Sequence, residues 1–272
     1  MVDLLARILE HKRREVAQAQ ECVSLEQIKA EALNSPPPRN FFAAVTRPKR
    51  KLKVIAEIKK ASPSAGVIRE PFDPVGIARA YFENGAAAIS CLTDQKYFQG
   101  HLDLIGQIRQ AVPLPVLRKD FLIDPYQIYE ARVAGADAIL LIAECLPSEG
   151  QLLDMLILST ELQLTTLVEV HNVENLLRVR PYIGFPHPSY TLLGINNRDL
   201  TTMTTDLAHT LRLLDLVEDT DILVSESGIS TCADVERLKQ AGVYRILVGE
   251  HLMRQPDVGA ALRELMGTAG GP

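Results

Sequence analysis

Eight short apolar segments recur along this chain, and segments with helical periodicity lie between them. Each apolar segment is continuous, as expected for a strand covered on both faces. Regular alternation of such strands with helices indicates a parallel sheet, and eight repeats favour a closed barrel over an open sheet. We therefore predict an α/β fold of the (β/α)8 or TIM-barrel class. The predicted strands are 53–58, 86–92, 114–119, 137–142, 165–170, 190–196, 222–226 and 243–248.

The segments between these strands carry helix signals. Asn84-Gly85, Ala134-Gly135 and Ala241-Gly242 each end a helical pattern with the glycine that a left-handed cap prefers. No GxGxxG motif follows a strand, which weighs against a dinucleotide-binding fold. The predicted helices are Pro74–Asn84, Leu102–Gln110, Pro125–Ala134, Pro147–Leu162, Val173–Val179, Asp206–Leu216 and Ala233–Ala241.

Residues 1–50 precede the first strand and have a helical pattern of their own. A stripe of apolar residues in this segment is interrupted by Lys12, and a run of three prolines follows. The segment is too short to support a separate core. We predict that residues 1–50 form an N-terminal helical extension packed on a catalytic barrel of residues 51–272, in a single domain overall. The stripe consists of Leu5, Ile8, Leu9 and Val16.

The composition excludes several kinds of partner. The formal net charge is −5, so neither nucleic acid nor an acidic membrane surface is expected to bind. No uncharged apolar run could span a bilayer, and the N-terminus lacks the apolar core of a signal peptide. Four scattered cysteines without a CxxC pair predict reduced thiols and no metal site. We expect a cytoplasmic protein that is a monomer or a weak homo-oligomer.

The end of the first predicted strand carries the most information about function. Side chains alternate along a strand, so Glu57 and Lys59 point the same way. A buried strand that ends with two charges on one face indicates a site at that face, although charges that simply reach solvent are the plain alternative. The turn Ser62-Pro63-Ser64 follows and offers hydroxyl and N–H groups to an anion.

Charged or polar side chains also stand at the ends of other predicted strands. The carboxyl ends of barrel strands are where such folds carry their chemistry. For any single strand, a solvated end remains an equal alternative. Five strands that present charged groups toward one mouth predict an enzyme. The residues concerned are Glu57, Lys59, Lys119, Glu169, Asn196, Arg198 and Glu226.

The loops after the last two predicted strands indicate a phosphate site. Phosphate sites in such barrels are often built from these loops, which here contain Ser227-Gly228 and Gly249-Glu250. Glycine lets the backbone approach a ligand, and N–H groups at a helix start favour an anion. Two ordinary tight turns are the alternative. The carboxylate of Glu250 would repel phosphate, so we expect its side chain to turn away and only its backbone N–H to help.

Together these motifs resemble the indole-3-glycerol phosphate synthase family, in its monofunctional form. The resemblance covers nearly the whole chain and includes the order and spacing of the motifs. It also extends to the helical segment before the first strand. The matching motifs are Val54–Ser64, Leu92–Gly100, Leu117–Phe121, Leu167–Val170, Gly194–Leu200, Val224–Ile229 and Val248–Glu250.

The resemblance implies an activity of tryptophan biosynthesis that needs no cofactor. The small-molecule substrate would be 1-(2-carboxyphenylamino)-1-deoxyribulose 5-phosphate, which closes to indole-3-glycerol phosphate with loss of carbon dioxide and water. Lys119 would be the general acid at the substrate carbonyl, near neutral pH if its surroundings bring its pKa closer to that range. Glu169 would be the general base, and Lys59 would bind the substrate carboxylate. Glu57, Lys59 and Glu169 all remain candidates for the dehydration step.

The resemblance also assigns binding roles. Asn196 and Arg198 would serve the substrate hydroxyls and the catalytic network, and Glu226 would lie near those hydroxyls. An apolar wall would hold the anthranilate ring, with plain core packing as the alternative for its members. The phosphate residues would be Ser62, Ser227, Gly228 and Gly249, and the wall would be Phe98, Phe121 and Leu140.

The N-terminal extension, the histidines and two other classes of protein remain to be considered. The resemblance places the N-terminal extension over the catalytic mouth, where its apolar stripe, Phe41 and Phe42 would find partners. The six histidines show no metal spacing and are expected to be structural or exposed. Two other classes stay open: another phosphate-binding barrel enzyme, such as a sugar-phosphate isomerase or a Schiff-base aldolase that uses Lys119 or Lys59, and a non-catalytic binding subunit. The histidines are His11, His101, His171, His187, His209 and His251.

Overall fold

The chain folds into a closed barrel of parallel strands, as seen in a computed structural model that describes residues 4–199, 202 and 204–268. Each barrel strand pairs with the next along the chain, and the first closes the barrel by pairing with the eighth, where Ile55 lies opposite Leu247. Each predicted strand overlaps an observed one, and the observed strands begin at most two residues later. The first to eighth barrel strands are Lys53–Ile58, Ala88–Leu92, Val116–Lys119, Ala138–Ile142, Thr165–Val170, Thr191–Asn196, Leu223–Glu226 and Arg245–Val248.

Successive residues of a barrel strand belong to two different cores. In the first strand, Val54, Ala56 and Ile58 pack with the surrounding helices. Ile55 instead packs with the interior residues of the other strands. Glu57 lies on the same side of the strand as Ile55, one step nearer the mouth, and lines the cavity there. The alternation of side chains along the first strand therefore places the carboxyl group of Glu57 at the mouth of the barrel.

The helices expected between the strands are present. Gly85, Gly135 and Gly242 follow three of them with φ values of 89°, 88° and 88°, which confirms the glycine caps. The segment expected as one helix over Asp206–Leu216 is shorter and ends in a 3-10 turn, Leu214–Leu216. The helices after the first strand are Pro74–Glu83, Gln95–Phe98, Asp103–Ala111, Pro125–Val133, Glu149–Glu161, Val173–Val179, Ala208–Leu213, Cys232–Gln240, Glu250–Met253 and Val258–Leu265, with further 3-10 turns at Ala143–Cys145, Arg180–Tyr182 and Thr220–Ile222.

The N-terminal extension runs from the mouth of the barrel to its floor. Its first helix, Leu4–Cys22, contributes Leu4, Leu5 and Ile8 to the cavity at the mouth. Its second helix, Leu25–Asn34, packs against Pro125–Val133 on the outside of the barrel. Residues 1–3 of the extension lie outside the described part of the chain.

The third helix of the extension, Phe41–Thr46, closes the opposite end of the barrel. Phe41 and Val45 are fully buried among the interior side chains. The backbone N–H of Phe42 donates to Oγ1 of Thr165, the first residue of the fifth strand, at 3.2 Å. The expectation that Phe41 and Phe42 lie over the mouth is therefore wrong. The extension seals both ends because its second helix runs down the outside wall.

A small hairpin follows the first strand and was not predicted. Its strands, Ala61–Ser62 and Gly66–Val67, have two residues each and pair antiparallel. Gly66 has a φ of 65°, a conformation that glycine adopts at little cost. The hairpin places Ser62 and Ser64 beside the mouth.

Other sequence expectations can be checked on the described residues. All four cysteines are free thiols. Within the ranges given above, no helix combines the length and the apolar character needed to cross a bilayer. Leu200, the last residue of one matching motif, lies outside the described part of the chain.

Candidate active site

One cavity of about 450 Å³ opens at the carboxyl ends of the barrel strands. Its lining brings together charged groups from five strands, two glycine-containing loops and an apolar wall. Ser62 is not part of this lining: it is buried in the hairpin, where its Oγ accepts from the N–H of Ala65 at 3.2 Å. The sequence-predicted residues that line the cavity are Glu57, Lys59, Phe98, Lys119, Phe121, Leu140, Glu169, Asn196, Arg198, Glu226, Ser227, Gly228, Gly249 and Glu250.

Lys119 ends the third strand with its ammonium between two carboxyl groups. Its Nζ lies 2.9 Å from Oε2 of Glu169 and 3.5 Å from Oε2 of Glu226. Burial alone would lower the pKa of Lys119, but the charges of Glu169, Glu226 and Glu57 outweigh burial and raise it. The surroundings thus move this pKa away from neutrality, opposite to the shift that the sequence reasoning called for. The raised pKa favours the charged ammonium of Lys119, a form that can donate a proton.

Glu169 and Glu226 form a pair of buried carboxyl groups whose pKa values are shifted in opposite directions. Burial favours the neutral form of each, but Lys119 and His171 hold the pKa of Glu169 well below its usual range. Burial and the negative charge of Glu169 raise the pKa of Glu226 well above its usual range. Neither oxygen of Glu226 accepts a hydrogen bond from an N–H or O–H group among the described residues. These opposite shifts favour the neutral form of Glu226 and the ionised form of Glu169.

Two glycines let the carboxyl groups approach the backbone of the mouth. A Cβ atom on Gly194 would lie 2.2 Å from Oε1 of Glu226, and one on Gly249 would lie 2.1 Å from Oε1 of Glu57. Both distances are far below a van der Waals contact. Gly249 was expected to make room for phosphate, but in this structure the space beside it is occupied by Glu57. The glycine therefore positions the first strand's carboxylate as well as its own loop.

The first strand presents an ion pair to the cavity. Nζ of Lys59 lies 2.6 Å from Oε1 of Glu57, so the two side chains do point the same way. Both are largely buried, which excludes the alternative that these charges merely reach solvent. The hydroxyl of Tyr81 donates to the carbonyl of Glu57 at 3.2 Å and fixes the strand there.

The sixth strand connects the two sides of the mouth. Nδ2 of Asn196 donates to Oε1 of Glu169 at 3.2 Å, and Oδ1 of Asn196 accepts from the backbone N–H of Arg198 at 3.0 Å. Nη2 of Arg198 donates to Oε2 of Glu250 at 3.0 Å. Oε1 of Glu250 accepts from Nη2 of Arg254 at 2.8 Å. The carboxylate of Glu250 is thus neutralised by two guanidinium groups at the cavity edge.

The loop after the seventh strand has an uncommon backbone conformation. Ser227 and Gly228 have φ values of 66° and 73°, both in the left-handed region. Nδ2 of Asn197 donates to the carbonyl of Ser227 at 3.0 Å and to Oγ of Ser225 at 3.1 Å, which holds the turn. A Cβ on Gly228 would lie 2.5 Å from Cγ2 of Thr205. After the eighth strand, the short helix Glu250–Met253 begins directly after Gly249.

Three apolar side chains line the same cavity as the charged groups. Phe98 and Phe121 pack with ring centroids 6.1 Å apart, and Leu140 is buried beside them. Phe98 ends the short helix Gln95–Phe98, whose first N–H groups are capped by Asp94 at 2.6 Å to Tyr97 and 3.3 Å to Phe98. The cavity therefore offers both an apolar surface for a flat group and charged side chains.

Sequence reasoning missed two residues that contact this machinery. His171 was expected to be structural or exposed, but its Nε2 lies 3.2 Å from Oε1 of Glu169. Its position two residues after Glu169 repeats the spacing of Glu57 and Lys59 and could have revealed it. Lys12 was read as an interruption of an apolar stripe, but it is buried against Asp94 and Asp120. Lys12 is far from Asp94 and Asp120 in the sequence, and only the fold brings these residues together.

Comparison with known proteins identifies the family. A sequence model described as "Indole-3-glycerol phosphate synthase" matches residues 5–265. The indole-3-glycerol phosphate synthase of Rhodopirellula baltica is 49% identical over 263 residues, which are 97% of this chain and 98% of that protein. The enzyme of the same name from Rhodospirillum rubrum is 46% identical over 269 residues, 98% of this chain and 100% of that protein.

Solved structures agree with the barrel architecture. A crystal structure of 3-hexulose-6-phosphate synthase covers 80% of this chain and 100% of its own, with a TM-score of 0.61 and 15% identity. A thiamine phosphate pyrophosphorylase from Pyrococcus furiosus covers 81% of this chain and 96% of its own, with a TM-score of 0.57 and 18% identity. Likeness at this level of identity concerns the fold alone.

Proposed function

This chain belongs to the indole-3-glycerol phosphate synthase family, and from that premise we propose how its barrel mouth carries out the family's reaction. The substrate is 1-(2-carboxyphenylamino)-1-deoxyribulose 5-phosphate, and the products are indole-3-glycerol phosphate, carbon dioxide and water. One observation carries the proposal: the ammonium of Lys119, held at 2.9 Å from Glu169, shares a single cavity with the Lys59–Glu57 pair. The cavity therefore holds two acids with a carboxylate beside each.

Lys119 is the general acid of ring closure. The ring carbon that bears the substrate carboxylate attacks the carbonyl carbon, and the carbonyl π electrons move to oxygen. The oxygen becomes strongly basic as the bond forms, so an ammonium with a raised pKa can still protonate it. The positive charge of Lys119 also stabilises the developing oxyanion.

Glu169 stabilises and then deprotonates the intermediates. Ring closure leaves a positive charge on the iminium of the anthranilate ring, and loss of carbon dioxide returns the bonding electrons to that ring. In the dehydration, Lys59 protonates the departing hydroxyl, and Glu169 takes the proton from the adjacent carbon. Glu169 suits this step because nearby cations keep it ionised although it is buried. Glu57 holds Lys59 in place through their 2.6 Å ion pair.

The cavity offers a separate surface to each part of the substrate. Phe98, Phe121 and Leu140 accept the anthranilate ring, and Lys59 binds its carboxylate. The phosphate lies against the loops after the seventh and eighth strands, near Ser227, Gly228 and Gly249. Arg198 and Arg254 add positive charge at this edge and offset the carboxylate of Glu250. Ser62 is proposed to act through the hairpin that carries Ser64, whose Oγ accepts from Nη1 of Arg198 at 3.1 Å.

A Schiff-base aldolase is a less favoured interpretation of the same cavity. Such an enzyme needs an uncharged amine, whereas Lys119 and Lys59 both lie against carboxylates. Reduction with borohydride in the presence of substrate would trap a lysine adduct in an aldolase. We expect no adduct.

The next proposals concern the location, the oligomeric state and the domain organisation of the protein. We propose a cytoplasmic monomer or weak homo-oligomer without nucleic-acid partners, because the net charge is −5 and all four cysteines are free thiols. We also propose that residues 51–272 form the catalytic barrel and that residues 1–50 complete it at both ends. Light scattering coupled to size exclusion tests the oligomeric state.

A direct assay tests the activity. The chain has no Trp, so the fluorescence of an indole product appears against a weak protein background. We expect fluorescence to rise with time when the substrate is added, together with release of carbon dioxide. No product at any pH between about 6 and 9 would contradict the proposal, since Lys119 and Glu169 hold the required charges throughout that range.

A further inference from the structure

His171 lies behind the proposed base and contacts a carboxylate at each ring nitrogen. Nε2 lies 3.2 Å from Oε1 of Glu169, and Nδ1 lies 3.1 Å from Oε2 of Glu144. The contact with Glu169 is an ion pair that is not aligned as a hydrogen bond. The side chain is 5% exposed and does not line the substrate cavity. It therefore contacts Glu169 without being part of the cavity lining.

Glu144 holds this histidine in place. Its Oε1 accepts from the backbone N–H of His171 at 3.1 Å and from Nδ2 of Asn175 at 3.0 Å. Glu144 lies in the 3-10 turn Ala143–Cys145, which follows the fourth strand. Nη1 of Arg178 donates to the carbonyl of Leu146 at 2.8 Å and fixes that turn. The carboxylate of Glu144 is thus held in place by contacts that do not involve Glu169.

The charges around His171 come from four elements. Glu144 faces it from the turn after the fourth strand, Glu169 from the fifth strand and Glu226 from the seventh, while His209 approaches its backbone from the helix Ala208–Leu213. Burial would lower the pKa of His171, but Glu144 and Glu169 outweigh burial and raise it to about 10. Burial and the charge of Arg212 lower the pKa of His209. At neutral pH the pair is thus one imidazolium, His171, beside a neutral ring.

We propose that His171 is a positioning residue that fixes the Glu169 carboxylate and, as a second cation beside Lys119, decides that Glu169 rather than Glu226 is the ionised member of the carboxyl pair. The proposal rests on the role of Glu169 as the base. Without the imidazolium, Glu169 keeps Lys119 at 2.9 Å and Asn196 at 3.2 Å, but Lys119 also lies 3.5 Å from Glu226. A proton would then spend more time on Glu169, and the base would be lost over part of the pH range.

Two substitutions separate position from charge. His171→Asn keeps a donor near the place of Nδ1, facing Glu144, and removes the group that reaches Glu169. His171→Gln can place a neutral amide donor near Glu169. We expect His171→Asn to lower kcat about tenfold and to change KM less than about twofold, because substrate does not contact this residue. We expect His171→Gln to recover part of kcat, because position returns without charge.

The pH profile is the readout that a purely structural histidine would not move. Glu169 has a depressed pKa in the wild type, and loss of a neighbouring cation raises that pKa. The acidic limb of kcat/KM should therefore move up by about one pH unit in both variants. Glu144→Gln should move it in the same direction by less. His187→Asn, at an exposed histidine in the link before the sixth strand, is the matched control and should leave the limb unchanged.

A measurement without turnover keeps this test apart from that of the proposed function. Carboxyl-carbon NMR of glutamate-labelled protein, with the Glu169 signal identified by its loss in Glu169→Gln, should show a higher pKa in His171→Asn than in wild type. An unmoved Glu169 titration and an unmoved acidic limb in His171→Asn would overturn the inference. If that variant does not fold, wild-type titration in folded His171→Gln and Glu144→Gln would overturn it equally. A wild-type protein that forms no product would contradict the proposed function. The NMR result would still test the effect of His171 on the pKa of Glu169.

Discussion

Lys12 and Asp120 form a buried ion pair that ties the N-terminal extension to the end of the third barrel strand. Nζ of Lys12 lies 2.9 Å from Oδ1 of Asp120, the residue after Lys119, and 2.8 Å from Oδ2 of Asp94. Lys12 is 3% exposed. Asp94 caps the helix that ends at Phe98. The ammonium of Lys12 therefore holds both Asp120, next to the proposed general acid, and the residue that supports Phe98.

Removing this ammonium should destabilise the protein. Lys12→Met leaves Asp94 buried without its cation and leaves Asp120 with Arg118 alone, and such a loss costs about 3 kcal/mol of unfolding free energy. We expect kcat/KM to fall as well, because Phe98 and Lys119 lose a common support. Denaturant unfolding and steady-state kinetics measure the two effects. Arg14→Met, on the exposed face of the same helix, is the control and should change neither.

The same ion pair predicts a pH dependence of stability. Burial favours the neutral form of Asp120, but Lys12 and Arg118 outweigh burial and lower its pKa to about 2. A carboxyl with a lowered pKa contributes stability above its unfolded pKa of about 3.9, and this is lost as pH falls through the folded value. The unfolding free energy of the wild type should therefore fall between about pH 4 and pH 2. An equal fall in Lys12→Met would contradict this origin of the effect.

Two truncations should behave differently. Deleting residues 1–23 removes the helix over the mouth but keeps Phe41 and Val45 in the floor of the barrel. We expect a folded protein with a raised KM and a lowered kcat, because the cavity loses part of its cover. Deleting residues 1–45 also exposes the barrel interior and breaks the 2.6 Å bond from the N–H of Arg39 to Asp137, so we expect it not to fold. A native circular dichroism spectrum for the longer deletion would show that the floor is dispensable.

Replacement of each of the two buried carboxyl groups, Glu169 and Glu226, by an amide should have different effects. The shifted pKa values favour a neutral Glu226, so Glu226→Gln imitates its favoured form, whereas Glu169→Gln removes the proposed base. We expect Glu169→Gln to lower kcat at least about 100-fold and Glu226→Gln to lower it about tenfold or less. The raised pKa of Glu226 also means that its stabilising contribution is lost as pH rises above its unfolded value of about 4.3, and Glu226→Gln should abolish that loss. Equal losses of kcat in the two variants would contradict the assignment of the proton.

Two glycine substitutions should separate the chemistry from phosphate binding. The Cβ of Gly194→Ala would displace Glu226, whereas that of Gly228→Ala would strain a left-handed backbone and press on Thr205 in the loop proposed for phosphate. We expect Gly194→Ala to lower kcat with unchanged inhibition by inorganic phosphate. Gly228→Ala should weaken that inhibition. Unchanged phosphate inhibition in Gly228→Ala would place the anion elsewhere.

The sequence predicted most of the local structure and much of the site. The eight strands follow from apolar runs, and the facing of Glu57 and Lys59 follows from strand alternation. The contact of Lys12 with Asp94 and Asp120 could not be predicted, because it joins segments about 80 to 110 residues apart. The direction of the Lys119 pKa shift depends on the balance of burial against three carboxyl groups, which only their distances decide.

The extension shows why an apolar pattern alone is not enough. The stripe of the first helix and the pair Phe41 and Phe42 both predicted burial, and both segments are packed on the barrel. The pattern does not say which end of the barrel each one covers. That choice depends on the second helix, which carries the chain along the outer wall, and on Arg39, whose guanidinium donates to the carbonyls of Arg109, Val112 and Leu114.

The most direct test of the account is single-turnover product formation by Lys119→Met. Methionine matches the length of the lysine stem but supplies no proton and no charge at the carbonyl oxygen. We predict that indole fluorescence rises at least about 1,000-fold more slowly than in wild type, while substrate still binds and circular dichroism remains native. A folded Lys119→Met that forms product at a rate within about tenfold of wild type would contradict the central role of Lys119.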